Sequence, residues 1–160
     1  MMSLWMYARM NRNNLDSKLV ETMLKDFFPD TREFVRNIDE TAVRTVIRYQ
    51  GVSSKLEKVL FVTELKQSYN AYESNLNSED FQYEQELIFC LDKTKVSVDV
   101  IRMVVDFCIY LRRHIECDIL VTSDMHDEIC LLKNQTIIWN EDVMHLSPWK
   151  SVFSIYLHNL

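Results

Sequence analysis

The chain has 160 residues, of which 48% are apolar and 26% charged, which is the composition of an ordinary globular domain. It contains one glycine, Gly51, where average usage of about 7% would give roughly eleven. Glycine-rich phosphate loops, the nucleophile elbow of α/β-hydrolases and collagen-like sequences are excluded, because each needs several glycines. The net charge of −6 disfavours a nucleic-acid partner and favours a basic one.

Apolar periodicity predicts strands and helices in the order β-α-β-β-β-α-β-β-β-α. The predicted strands are residues 3–9, 41–50, 56–65, 83–91, 118–122, 129–132 and 136–139, and the predicted helices are residues 15–28, 98–115 and 149–157. The polar residues 66–82 are predicted to form a long connecting loop with room for a short helix. This order favours one α+β domain over residues 1–160, a largely antiparallel sheet with two or three helices packed on one face.

The helix over residues 98–115 is the clearest predicted element. Its largely apolar stripe comprises Val98, Ile101, Val104, Val105, Cys108, Leu111, Arg112 and Ile115. Cys108 and the other cysteines, Cys90, Cys117 and Cys130, lie in apolar runs without CxxC or CxxH spacing. We expect core thiols in a reducing compartment, rather than metal ligands or disulfides.

Two features of the chain suggest a cytoplasmic protein. Residues 1–9 are too short and too interrupted for the apolar core of a signal peptide. The other apolar stretches fall short of the ~20 residues that a membrane span needs. We therefore expect neither secretion nor a membrane partner.

Acidic side chains concentrate in two segments. Residues 64–86 carry a net charge of −5 and residues 116–142 a net charge of −6, so the rest of the chain is basic overall. In the first segment the acids alternate with tyrosines, which are common in protein interfaces. Two interpretations stay open: a protein-binding face, or a solvated loop whose tyrosines cover the sheet edge. The candidate partner-binding residues are Tyr69, Tyr72, Glu73, Glu79, Asp80, Tyr83, Glu84, Asp124, His126, Asp127 and Glu128.

The run from Asp124 to Glu128 is the densest gathering of titratable groups. His126 with its neighbouring carboxylates could bind a divalent cation or act as general acid and base. A polar hairpin turn is the simpler interpretation, because neighbouring side chains in a turn point apart. His114, His145 and His158 are scattered, and no metal ligand, cofactor or catalytic residue is assigned.

Met2, Met6 and Met10 recur at every fourth position of the first segment. Burial in the core is the favoured interpretation, and a loosely packed surface strip is the alternative. In the latter case the chain would be a homodimeric adaptor.

A family resemblance rests on residues 87–91, 98–115, 117–121, 127–132 and 137–140, with Trp149 beyond them. In these residues the chain resembles the immunity proteins of bacterial polymorphic-toxin and contact-dependent inhibition systems, most nearly the Sit-type group. The resemblance implies a cytoplasmic bacterial protein that is not an enzyme and needs no cofactor. It would neutralise a cognate toxin domain, often a basic nuclease, by covering its active or substrate-binding surface. We expect segment 66–86 and the hairpin 123–128 to make the contact, and the alternative function is a small metal-dependent enzyme using Asp124, His126 and Glu128.

Overall fold

The computed structural model describes residues 3–12, 17–27, 34–40, 44–51, 59–66, 70–92, 98–124, 128–146 and 149–158. The strands are β1 (Ser3–Met10), β2 (Phe34–Glu40), β3 (Arg44–Gly51), β4 (Val59–Lys66), β5 (Asn70–Tyr72), β6 (Phe81–Tyr83), β7 (Gln85–Asp92), β8 (Ile119–Ser123), β9 (Glu128–Lys133) and β10 (Thr136–Trp139). The helices are α1 (Ser17–Phe27), α2 (Val98–His114), α3 (Glu141–Met144) and α4 (Trp149–His158). Among these, no helix is long and apolar enough to cross a membrane.

The central sheet is antiparallel and has the strand order β10-β9-β8-β1-β7. Strands β2, β3 and β4 form a second antiparallel sheet, and β4 lies alongside β7. The predicted strands over 41–50 and 56–65 correspond to β3 and β4, and β2 was not predicted. The α+β class with a largely antiparallel sheet is therefore confirmed.

Strand β1 occupies an interior position, because it pairs with β7 on one side and β8 on the other. Its alternate residues Leu4, Met6, Ala8 and Met10 are buried, as strand periodicity requires. Met6 and Met10 are thus core residues. They do not form the surface strip on which the adaptor hypothesis depends. Met2 lies outside the described residues.

Helices α1, α2 and α4 contribute to one core together with the buried face of β1. The predicted stripe of α2 is confirmed, with Ile101, Val104 and Leu111 all fully buried. Phe107, which lies outside that stripe, is buried too and packs against Phe27 at 5.4 Å between ring centroids. The stripe is wider than predicted because α2 contacts a neighbouring helix as well as the sheet.

Residues 70–83 form the small β5–β6 sheet and its connection, although residues 66–82 were predicted as a connecting loop and Tyr83 as the start of the next strand. Phe81 is 3% exposed and packs with Leu120 and Leu131 in a second apolar cluster, which Tyr72, Leu76 and Tyr83 flank. This cluster is separate from the core that contains the helices. Because Leu120 and Leu131 alternate with core residues along β8 and β9, residues 70–83 cover the other face of the sheet. We call residues 70–84 the acidic cover.

Three cysteines among the described side chains, Cys108, Cys117 and Cys130, are buried free thiols. Burial raises the pKa of the Cys130 thiol to about 12 and that of Cys117 to about 11. The prediction of core cysteines is confirmed for these three, and the side chain of Cys90 lies outside the described part.

The turn between β9 and β10 is built without glycine. Asn134 and Gln135, its two central residues, have φ values of 52° and 62°. Positive φ at both positions is the geometry of a two-residue hairpin turn that favours Asn followed by Gly. Gln135 therefore occupies a position where a side chain is unfavourable.

Candidate functional site

The carboxylate of Glu128, the first residue of β9, is 5% exposed and bound by the acidic cover. Its Oε1 accepts the backbone N–H of Asn75 at 2.8 Å. Its Oε2 accepts the backbone N–H of Leu76 at 3.1 Å and the hydroxyl of Ser74 at 3.2 Å. Three donors compensate for the water that this buried charge has lost.

The turn of the acidic cover around Ser74 is further stabilised from within. The Oγ of Ser74 accepts the N–H groups of Leu76 at 3.2 Å and Asn77 at 3.1 Å. Lys133, at the end of β9, donates from Nζ to Oδ1 of Asn77 at 3.1 Å. The turn is thus attached to both ends of β9, and the two acidic segments of the sequence meet here.

The tyrosines of the acidic cover point towards the sheet. The guanidinium carbon of Arg9, on β1, lies 4.7 Å from the ring centroid of Tyr72 and 5.5 Å from that of Tyr83. Tyr7 of the same strand supplies a third ring, at 4.9 Å. These are cation–π distances. Both cover tyrosines are half-buried, so the structure gives them the sheet-covering role that was one of the two interpretations.

The polar contacts of Arg9 are also internal. Its Nε lies 3.0 Å from Oε2 of Glu86, with both side chains largely buried, and Nη1 donates to the hydroxyl of Thr122. The Nε–H is not directed along the contact with Glu86, so the pair is an ion pair and not a hydrogen bond. Glu86 therefore balances a buried cation and does not add to the outer acidic surface.

The remaining acids of the cover face outwards. Glu73, Glu79 and Asp80 are exposed, and Glu84 is half-buried. The backbone N–H of Glu84 donates to the carbonyl of Met10 at 2.9 Å, which fixes the end of the cover to β1. The cover therefore has an aromatic inner side and an acidic outer side.

A cleft with a volume of about 200 Å³ separates the acidic cover from the segment 140–146. It is lined by Tyr72, Glu73, Asn75, Asp142, Val143 and Leu146, together with Glu128 and Asn140. Asn140 is held in place because its Nδ2 donates to the carbonyl of Glu128 at 2.7 Å and its Oδ1 caps α3 by accepting the N–H of Asp142 at 3.1 Å. Among the described residues, the carboxylates of Glu73 and Asp142 have neither a hydrogen-bond nor an ion-pair partner. The residues that line the cleft are therefore acidic on balance.

The acidic hairpin is described only in part. Asp124 is half-buried, and its N–H donates to the carbonyl of Trp5 at 2.8 Å. Its Oδ1 is buried without a hydrogen-bond partner within the described part of the chain. The described residues do not include His126, Asp127 or Tyr69. The roles predicted for these three residues therefore stay predictions.

Glu128 differs most from its predicted role. We expected it at a partner's surface or beside a metal, and it is instead buried and bonded to the acidic cover. To ligate a metal with Asp124 and His126, it would have to release the N–H groups of Asn75 and Leu76. Within the described ranges no group of three His, Cys, Asp or Glu side chains is arranged to hold a metal ion.

Sequence reasoning missed several residues that shape this site. Arg9 is the clearest case, and its signal is a charged residue in an otherwise apolar strand. Asn140 is followed by Glu141 and Asp142, and an asparagine before two acidic residues is a typical helix start. This pattern could have predicted that Asp142 lies in the first turn of a helix. The backbone donors of Asn75 and Leu76 leave no sequence signal.

No protein-family model, curated protein or solved structure compared with the chain matches it. What the protein does is therefore inferred from its own residues.

Proposed function

We propose that this protein is an immunity protein of the bacterial cytoplasm, which binds and neutralises a cognate toxin domain. The acidic cover would lie over the active or substrate-binding surface of a basic toxin. The observation that supports this most strongly is the bond between Glu128 and the cover, which holds the cover at a cleft lined by exposed acids of both segments, Glu73 and Asp142. The resemblance of segments between residues 87 and 140, with Trp149 beyond them, to immunity proteins supports the same class.

The geometry suits a binding surface for two physical reasons. A cover fixed by Glu128 and Arg9 loses little conformational entropy on binding, so less of the contact energy is consumed by ordering. Its outward carboxylates attract a basic partner over long range and repel acidic ones. Carboxylates of this kind mainly raise the association rate and the specificity of a complex.

The proposal predicts that a neighbouring gene encodes a toxin domain, and it is tested by co-expression of that domain with this chain. We expect the wild-type protein to restore growth of a bacterial host that produces the toxin domain. The variant with Glu79→Lys and Asp80→Lys, two exposed cover residues, should protect less well. The matched control carries Asp26→Lys and Glu116→Lys, two exposed acids outside the cover, and should protect as well as the wild type.

Two results would contradict the proposal. Absence of protection by the wild-type protein would exclude immunity against that toxin. Equal protection by the cover variant and the control variant would show that the cover is not the contact surface.

A further inference from the structure

We propose that the outer edge of β10 pairs with the same edge of a second copy of this chain, so that two central sheets join across a two-fold axis. Strand β10 is an end strand of the central sheet, and among the described strands it pairs only with β9. The inference goes beyond the proposed function, because it concerns self-association without a toxin. It does not involve Met6 or Met10, the core methionines of β1.

The register of β10 with β9 shows which backbone groups of β10 point outwards. The N–H of Asn140 donates to the carbonyl of Ile129 at 3.0 Å. Because hydrogen-bonded and non-hydrogen-bonded pairs alternate along an antiparallel ladder, the backbone of Ile138 also bonds to β9. The N–H and C=O groups of Ile137 and Trp139 therefore point away from β9, and within the described part of the chain no hydrogen bond reaches them.

These four outward groups match those of a second copy in one register. When the two-fold axis passes through Ile138, Ile137 of each copy lies opposite Trp139 of the other. Each of these two pairs exchanges both of its N–H···O=C bonds, so the outward backbone groups of both copies are satisfied. The edge is thus complementary to itself, which is the property that a two-fold symmetric interface requires.

The side chain of Ile138 forms the centre of this interface. Ile138 is 40% exposed, and it lies on the same face of the sheet as Leu131, the residue opposite it on β9. At the axis the two copies of Ile138 are a non-hydrogen-bonded pair, in which Cα atoms are about 4.5 Å apart and the side chains touch. Pairing therefore removes from water the most exposed apolar side chain of β10.

The charges at the two ends of β10 suit the antiparallel arrangement. Lys133 precedes the turn before β10, and Glu141 and Asp142 follow the end of the strand. Antiparallel pairing places the acidic end of each copy beside the basic end of the other. Strand β10 itself has no charged residue, so no like charges lie opposite one another in the new ladder.

Strand β10 also lacks the features that prevent pairing at exposed edges. Such edges commonly carry a lysine, a proline or a β-bulge. Strand β10, with the sequence Thr-Ile-Ile-Trp, has neither residue, and its register with β9 is regular. In contrast, β2 at the end of the second sheet carries Arg36, Asp39 and Glu40, and β7 at the other end of the central sheet lies alongside β4. Among these end strands, β10 is therefore the one suited to receive a further strand.

The inference is tested by sedimentation velocity of the full-length protein over a range of concentrations, at an ionic strength of about 0.15 M, which partly screens the repulsion between two chains of net charge −6. We expect a dimer. In Ile138→Lys its dissociation constant should rise by more than about tenfold, because two ammonium groups then face each other at the axis. Leu19→Lys, at a residue of α1 that is 37% exposed, adds the same charge away from the edge and should leave the dimer unchanged.

Cross-linking through new cysteines tests the register. In Ile138→Cys the two thiols lie opposite each other, within the Cα separation of about 4.4–6.8 Å that a disulfide spans, so oxidised glutathione should produce a covalent dimer. In Thr136→Cys the same register places the two Cα atoms roughly 14 Å apart, since four residues of strand rise separate them, and no covalent dimer should form. Both positions are exposed in the single chain, so they are matched in access to the oxidant.

Three outcomes would overturn the inference: a wild-type protein that is monomeric at every concentration, an unchanged dissociation constant in Ile138→Lys, or equal cross-linking of the two cysteine variants. A monomer that adds a strand of another protein at β10 would overturn it as well. No toxin is present in either experiment, so a failure of the dimer leaves the growth assay unaffected and the two proposals fail separately.

Discussion

The carboxylate of Glu128 accepts the backbone N–H of Asn75 at 2.8 Å, although the two residues lie 53 positions apart in the chain. The bond connects the first residue of β9 to the middle of the acidic cover. It explains why a polar segment with few apolar residues of its own keeps a defined position on the sheet.

Replacement of Glu128 by alanine should release the acidic cover. Three donors, the N–H groups of Asn75 and Leu76 and the hydroxyl of Ser74, lose their acceptor. We expect the free energy of unfolding to fall by about 2–4 kcal/mol, because several charge-assisted hydrogen bonds are lost at a buried site. Urea denaturation measures the loss, and the amides of Asn75 and Leu76 should exchange faster with solvent.

Glu128→Gln is a useful second variant, because its side-chain amide keeps one acceptor oxygen. This variant should lose less stability than Glu128→Ala. Glu116→Ala, at an exposed acid, should change the stability little. An alanine variant at Glu128 as stable as the one at Glu116 would contradict the role assigned to this carboxylate.

The ion pair of Arg9 and Glu86 should behave as a coupled buried pair. Arg9→Met leaves Glu86 without its counter-charge at a site where both side chains are about nine-tenths buried, and should destabilise the fold by roughly 3–5 kcal/mol. The double variant with Glu86→Gln should be more stable than Arg9→Met alone. A double-mutant cycle measured by urea denaturation tests this, and additive effects of the two changes would show that the pair is not coupled.

The turn between β9 and β10 offers a stabilising substitution. Gln135 has a φ of 62°, which costs a residue with a side chain about 1 kcal/mol relative to glycine. Gln135→Gly should therefore raise the free energy of unfolding by about 1 kcal/mol, as measured by urea or thermal denaturation. Asn134→Gly should gain less, because asparagine tolerates this conformation. A loss of stability in the Gln135 variant would contradict the turn geometry.

The Cys130 thiol should make the stability depend on pH under alkaline conditions. Burial raises its pKa from 9.0 to about 12 in the folded protein. The thiol of the unfolded chain loses its proton first, so the free energy of unfolding should fall as the pH rises from about 9 to about 12. Each such group contributes a slope of up to about 1.4 kcal/mol per pH unit.

The variant Cys130→Ala should lose this contribution and show a shallower decline of stability over the same pH range. Urea denaturation of both proteins at several pH values between 8 and 11 provides the comparison. Parallel declines would indicate that Cys130 titrates no differently in the folded and unfolded chains.

The fold class and most of its elements could be predicted, since they follow from the periodicity of apolar residues. Ile101, Val104 and Leu111 define the inner side of α2, and the alternation in β7 places Leu87 and Phe89 in the core. Strands β5 and β6 could not be predicted, because each has three residues and is stabilised by contacts of Phe81 with Leu120 and Leu131. Strand β2 was missed as well.

Of the candidate site, the sequence predicted the acidic and aromatic residues but not their arrangement. Charge counting indicated two acidic segments, and the structure joins them. The inward direction of Tyr72 and Tyr83 depends on Arg9, which lies about 60–75 positions away in the sequence. The burial of Glu128 depends on backbone donors of a distant turn, and a backbone N–H is identical in nearly every residue.

The most direct test of the account is the association rate constant of this protein with the proposed toxin domain, measured at several salt concentrations. We predict that the variant with Glu79→Lys and Asp80→Lys associates more slowly than the wild type and loses much of the salt dependence. The variant with Asp26→Lys and Glu116→Lys, which has the same net charge, should associate faster than the cover variant. Identical rates for the two variants would contradict the claim that the acidic cover meets the partner.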